Sequence, residues 1–166
     1  FRSHYADYLS DPAVAEVAVA TRDLGEFLYE WRAAHPDRAP AAEATPLSLA
    51  YHMPCHLKAQ RVPHTFYDLV AQIPDVHLVN LDAGCCGMAG TFGTKAGTFE
   101  FSMLAGRPVF DRVEALKPDL VLSDCSSCRM QIEQATGTRT MHPAELLAHL
   151  YGVAPARHSL SWISTR

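Results

Sequence analysis

Five cysteines constrain this 166-residue chain more than any other feature: Cys55, then after 29 residues the vicinal pair Cys85–Cys86, then after 38 more the Cys125-Ser-Ser-Cys128 pair. Each group directly follows a short apolar run, "LSLAYH" (47–52), "VHLVNL" (76–81) and "DLVLSD" (119–124). Runs of this length and composition read as buried strands. Helical spacing follows at 64–73, at 98–116 with an expected break at Gly106–Pro108, at 126–136 and at 143–151, with a further short strand at 138–141. Strands that alternate with helices give a parallel sheet covered on both faces. The expected fold is therefore a three-layer α/β domain with a short, mainly parallel sheet. In such sheets ligands bind at the carboxyl ends of the strands. Three strand ends would then carry all five sulfurs to one edge, making that edge the expected metal site.

Composition removes several other classes. Net charge is −4 and no basic cluster exceeds two residues, so a nucleic-acid footprint is absent. No apolar run is long enough for a membrane-spanning helix, and no signal peptide is visible. An odd number of cysteines in two close pairs and a single residue argues against a disulfide scaffold and for a reducing, intracellular setting.

A Cys-x-x-Cys at a helix start presents two sulfurs on one side, and the free N–H groups there favour the thiolate that metals bind. Gly84, Gly87, Gly90 and Gly93 around the vicinal pair permit close approach of backbone N–H groups, which stabilise sulfide or thiolate. These features suit an iron–sulfur cluster at that edge, with Gly87 beside it. Alternatives stand next to this. Structural zinc would use four of the five thiols, with His52 or His56 in reserve. Thiol–disulfide chemistry at Cys125 and Cys128 matches strand, Cys-x-x-Cys, helix, but leaves Cys55, Cys85 and Cys86 unused. Inert buried cysteine is the default for one isolated thiol, not for five in matching contexts.

The segments "YHMPCHL" (51–57), "LDAGCCGMAGTFGTK" (81–95), "DLVLSDCSSCRMQIEQATG" (119–137) and "HPAELL" (142–147) resemble the cysteine-rich CCG domain family. Its members include the iron–sulfur subunits of respiratory dehydrogenases acting on glycerol 3-phosphate, glycolate or lactate, and the B subunit of heterodisulfide reductase. The resemblance covers roughly residues 47–151. It implies that the five cysteines together ligate an iron–sulfur cluster, a [4Fe–4S] centre of non-cubane type as in heterodisulfide reductase, with zinc as the known substitute in some CCG domains. It further implies electron transfer, in anaerobic respiration, from a flavin-containing dehydrogenase subunit toward quinone or a membrane-associated partner. The location implied is cytoplasmic, at the inner face of the membrane, and substrate oxidation would occur elsewhere. Full-length relatives carry two CCG domains and upstream ferredoxin-type cysteines. The chain, beginning at Phe1 with one five-cysteine set, reads as a carboxy-terminal CCG domain that is not catalytic alone.

On this division residues 1–46 are an N-terminal helix and linker, 47–151 the cysteine-rich domain, and 152–166 an aperiodic tail expected to be loose. The helix is expected over 11–34, capped by Asp11 with Pro12 in its first turn, with Val17, Ala20, Leu24, Phe27, Leu28 and Trp31 as a packing stripe. His52, His56 and His142 near strand ends are candidates to hydrogen-bond a cluster sulfur or carry protons. Lys58 and Lys95 are candidates to offset thiolate charge, and Met88 and Phe92 to shield the centre from water.

Overall fold

The computed structural model describes residues 1–38, 41, 42 and 44–153. The expectation of a loose tail therefore falls, from residue 154 onward, outside the described residues. Four parallel strands, β1 (Leu47–Tyr51), β2 (Val76–Asn80), β3 (Leu120–Leu122) and β4 (Thr140–Met141), lie in the order β2-β1-β3-β4. The α/β fold with its parallel sheet is thus as expected, though β3 and β4 are shorter than the runs that suggested them. β1 sits in the interior of the sheet, buried along four of its five residues.

Alternation along β1 and β3 divides the core into two clusters. Leu47, Leu49, Tyr51, Leu120 and Leu122 pack on one face with Phe66, Leu69 and Val70 of α5 (Thr65–Ala71) and Leu146, Leu147 and Leu150 of α8 (Pro143–Leu150). Ala50 and Val121 pack on the other face with Val109, Phe110 and Val113 of α6 (Phe99–Leu116) and with Cys128 and Ile132 of α7 (Ser126–Thr136). A side-chain period of two sends neighbouring residues to opposite faces, which is why each short strand serves both cores and the architecture has three layers.

Two helix expectations need correction. Pro108 does not break α6, which runs unbroken from Phe99 to Leu116. Pro108 is exposed, so the backbone bond it forfeits lies where water can replace it, while Val109, Phe110 and Val113 bury the same helix in the core. Conversely, the expected helix over 11–34 is two helices, α2 (Ala13–Ala20) and α3 (Leu24–Ala34), after a one-turn α1 (Tyr5–Tyr8). The Thr21 hydroxyl donates to the Val17 carbonyl, and Asp23 and Glu26 form a reciprocal capping box that starts α3. Such side-chain bonds to the backbone compete with helix continuation. Asp11 accepts from the Ala13 amide as anticipated. The expected packing stripe is not one: Val17, Leu24 and Phe27 are exposed, and only Leu28 joins the core. A short α4 (Cys55–Ala59) follows β1 closely, an element without a sequence signal beyond Pro54 before it.

Candidate metal centre

The carboxyl ends of β1 and β3 position the site. β1 leads through His52 and Met53 to Cys55 at the start of α4, and β3 leads through Ser123 and Asp124 to Cys125, the residue before α7. The loop after β2 carries Cys85 and Cys86. His52 is fixed by its own backbone, whose N–H donates to the Leu122 carbonyl at 2.8 Å, extending the β1–β3 pairing by one residue.

All five thiols are free, yet they divide by depth. Cys86 and Cys128 are buried, Cys85 and Cys125 half-buried, and Cys55 exposed. The Cys86 and Cys128 sulfurs are 3.1 Å apart, far beyond the roughly 2.05 Å of a disulfide bond and close enough to share a proton. The hydrogen bond with Cys128 pulls the Cys86 thiol down to about 4 against the opposing effect of burial, with His52 adding to the pull. The same contact, with burial, pushes Cys128 well up. Cys85 goes the other way. Burial raises it to about 11; the Gly87 amide, donating to its sulfur at 3.3 Å, opposes the rise, and the neighbouring Cys55 thiol adds to it. Cys125 lies against Cys128. The adjacent thiols Cys85 and Cys86 thus face different neighbours, one toward Cys55 and the other toward Cys128.

His52, Cys86 and Cys128 are the one group among the described residues whose ligand atoms all lie within 4.8 Å of one another; Cys55, Cys85 and Cys125 fall outside that group. The His52 Nε2 is buried and finds no hydrogen-bond partner. Buried polar atoms ordinarily have partners, and thiolate with imidazole is a donor set that zinc and iron both accept. The residues therefore fit a thiophilic metal or cluster.

A clamp that no sequence pattern announced holds the vicinal pair. Ser102 of α6, fully buried, donates to the Gly87 carbonyl at 2.9 Å and accepts from the Gln131 side-chain amide of α7 at 2.6 Å. Gln131 lies one helical turn beyond Cys128, so a single helix face holds both ligand and clamp. Backbone contact is equally tight. A Cβ on Gly87, at φ +90°, would stand 1.9 Å from the Ser102 carbonyl oxygen, and one on Gly106 2.3 Å from the Cys86 carbonyl oxygen. Glycine at both positions lets the loop lie directly on α6.

The remaining candidates divide. Met88 is buried in the cluster that contains Cys86, whereas Phe92 is exposed. Lys58 forms a surface pair with Asp82 at 3.7 Å. His56 and Lys95 are exposed. His142 is a helix cap: its Nδ1 accepts from the Ala144 amide at 3.1 Å at the start of α8, and burial lowers its basicity.

A parallel sheet whose strand ends gather free thiols onto Gly-rich backbone defines a cysteine-rich, metal-binding class of domain. The profile of the cysteine-rich domain family, CCG, matches residues 49–133, and the chain belongs to that family. It is 38% identical over 134 residues to the C subunit of anaerobic glycerol-3-phosphate dehydrogenase from Escherichia coli K12, covering 80% of this chain and 32% of that protein. It is 26% identical over 90 residues to an uncharacterised iron–sulfur protein of Methanocaldococcus jannaschii, covering 54% of this chain and 18% of the relative. Lactate utilization protein A of Geobacillus is 29% identical over 105 residues, covering 58% and 43% respectively. The chain thus spans about a third of the length of the glycerol-3-phosphate dehydrogenase subunits it matches.

Proposed function

We propose that this chain is an iron–sulfur electron-transfer domain of a respiratory dehydrogenase of the glycerol-3-phosphate type, holding a non-cubane [4Fe–4S] cluster through Cys55, Cys85, Cys86, Cys125 and Cys128. The observation that carries the reading is the divergence of the vicinal thiols. Cys85 meets Cys55 while Cys86 meets Cys128, so a centre touching every sulfur needs more than four ligands. One four-coordinate ion has no use for the fifth. The similarity to the glycerol-3-phosphate dehydrogenase subunit and to a protein named as iron–sulfur supports the same choice.

Such a cluster, when bound, supplies a one-electron carrier. The chain's own contribution is to present thiolates on a rigid edge, to place the Gly87 amide against the Cys85 sulfur, and to cover the inner sulfurs with Met88. Hydrogen bonds to sulfur and exclusion of water both tune a potential. In the full protein, electrons would arrive from a flavin-containing subunit and leave toward quinone at the inner, cytoplasmic face of the membrane, in anaerobic respiration. No helix of the described residues is long and apolar enough to cross a membrane.

Anaerobic purification followed by assay of iron, zinc and acid-labile sulfide, with electron paramagnetic resonance, tests this. Iron and sulfide in cluster ratio, with a signal altered by Cys55→Ser, Cys85→Ser and Cys86→Ser alike, is the expected result. Stoichiometric zinc without sulfide in protein never exposed to oxygen would replace this reading with that of a zinc-stabilised docking domain.

A further inference from the structure

We propose that Ser123, a residue outside the cysteine set, donates its hydroxyl hydrogen to a sulfur of the bound iron–sulfur centre and so raises the centre's reduction potential. The inference rests on the electron-transfer reading and deepens it by naming a residue that sets the potential at that edge.

Strand pairing places the residue. The His52 amide donates to the Leu122 carbonyl at 2.8 Å and the Ser123 amide to the Met141 carbonyl at 3.2 Å, so the sheet continues one residue beyond β1 and β3. Tyr51 and Leu122 are register partners, which makes His52 and Ser123 the next pair across the two strands. Side chains alternate along a strand. Tyr51 and Leu122 pack on the face covered by α5 and α8, so His52 and Ser123 take the other face, the one that holds Cys86 and Cys128. The His52 ring bears this out, with a nitrogen within 4.8 Å of both of those sulfurs.

Ser123 is fully buried. Its backbone is paired at both ends, the N–H with Met141 and the carbonyl with an Arg129 guanidinium N–H at 2.8 Å. The hydroxyl has no partner, not even the local backbone bond that serine commonly makes. A buried hydroxyl without a partner destabilises a fold relative to alanine, which fills nearly the same space. What the hydroxyl offers in return is a donor. The unpartnered atom on Gln131, Oε1, only accepts and is of no use to sulfide or thiolate. Sulfur becomes more negative when the centre is reduced. A donor aimed at it therefore stabilises the reduced form more than the oxidised form, and the potential rises.

Ser123→Ala tests the assignment with and without the centre. In the full chain freed of metal and kept reduced, the urea midpoint of the variant should equal or exceed that of wild type, because the hydroxyl has no protein partner to lose. A lower midpoint overturns the proposal. After anaerobic reconstitution, iron and sulfide content should match wild type. The ratio of reduced to oxidised centre at a fixed potential, read by electron paramagnetic resonance, should fall about tenfold, or about 59 mV for one electron. Electron–nuclear double resonance of the reduced wild type should show a deuterium-exchangeable proton coupled to the centre that the variant lacks. A wild-type spectrum without such a proton overturns the proposal whatever the variant does. So does a change in the ratio below about twofold, or a loss of iron in the variant, since a donor that only tunes the centre is not a ligand. Wild type that rebuilds no cluster refutes the electron-transfer reading itself. A cluster that forms with its potential unmoved by Ser123→Ala refutes this assignment alone.

Discussion

At the carboxyl edge of the sheet, His52, Ser123 and Gln131 are buried with side-chain atoms that lack partners. In the amino-terminal helices the pattern is reversed. There the capping box of Asp23 and Glu26 and the bonds from Arg2 satisfy local polar groups, while Tyr8, Val19, Leu24 and Phe27 face solvent. One region tolerates unpaired polarity inside; the other leaves apolar surface outside. Departures from the usual rules collect where a site must stay ready for a ligand, and the cysteine edge is the region that also brings together chemistry-bearing side chains.

Breaking the edge should cost most. Gly87→Ala puts a methyl into the Ser102 carbonyl at a positive φ, and we expect a loss of about 3 kcal/mol or more in urea unfolding of metal-free protein. An unchanged midpoint would mean that the loop is not seated on α6. Ser102→Ala leaves both the Gly87 carbonyl and the Gln131 amide without their bond, for an expected cost of about 2 kcal/mol; faster alkylation of Cys86 should accompany it. The amino-terminal region should respond more weakly and to pH. The Arg2 hydrogen bond at 2.5 Å holds Glu26 below the usual carboxylate range. A depressed folded value adds stability above the unfolded value near 4.3, and that contribution fades as pH falls through the folded value. The expected size is about 1 kcal/mol or less, and a thermal-melt series in acid should lose its wild-type advantage in Glu26→Gln. Smallest of all, Phe27→Ser on the exposed stripe should shift stability by less than about 0.5 kcal/mol. A larger drop in the same melts would show that this face is covered and would weaken the contrast between the two regions.

Much of the edge was legible in advance because its signals are local. Apolar runs of strand length, each ending at a cysteine, imply both the parallel sheet and the clustering at its carboxyl ends. The errors arose where side chains act over distance or compete within one turn. Nothing in the spacing of 11–34 shows that the Thr21 hydroxyl and the Asp23–Glu26 box will interrupt the helix, since Val17, Leu24 and Phe27 keep helical periodicity without a surface to bury it on. Pro108 carries a strong local break signal, but its exposed position in a helix anchored by Val109 and Phe110 overrides it. His142 read as a candidate proton carrier because a cap cannot be told from a functional histidine without seeing the Ala144 amide beside it.

The sequence by itself determined the fold class and the delivery of cysteines to strand ends, because those depend on periodicity and on residue type. Only the tertiary structure decided how the set divides. The order β2-β1-β3-β4 makes β1 and β3 neighbours, and that pairing brings His52 together with Cys86 and Cys128 while Cys55 stays at the surface. Residues far apart along the chain come within bonding range through strand pairing and helix packing, long-range contacts that no local pattern encodes.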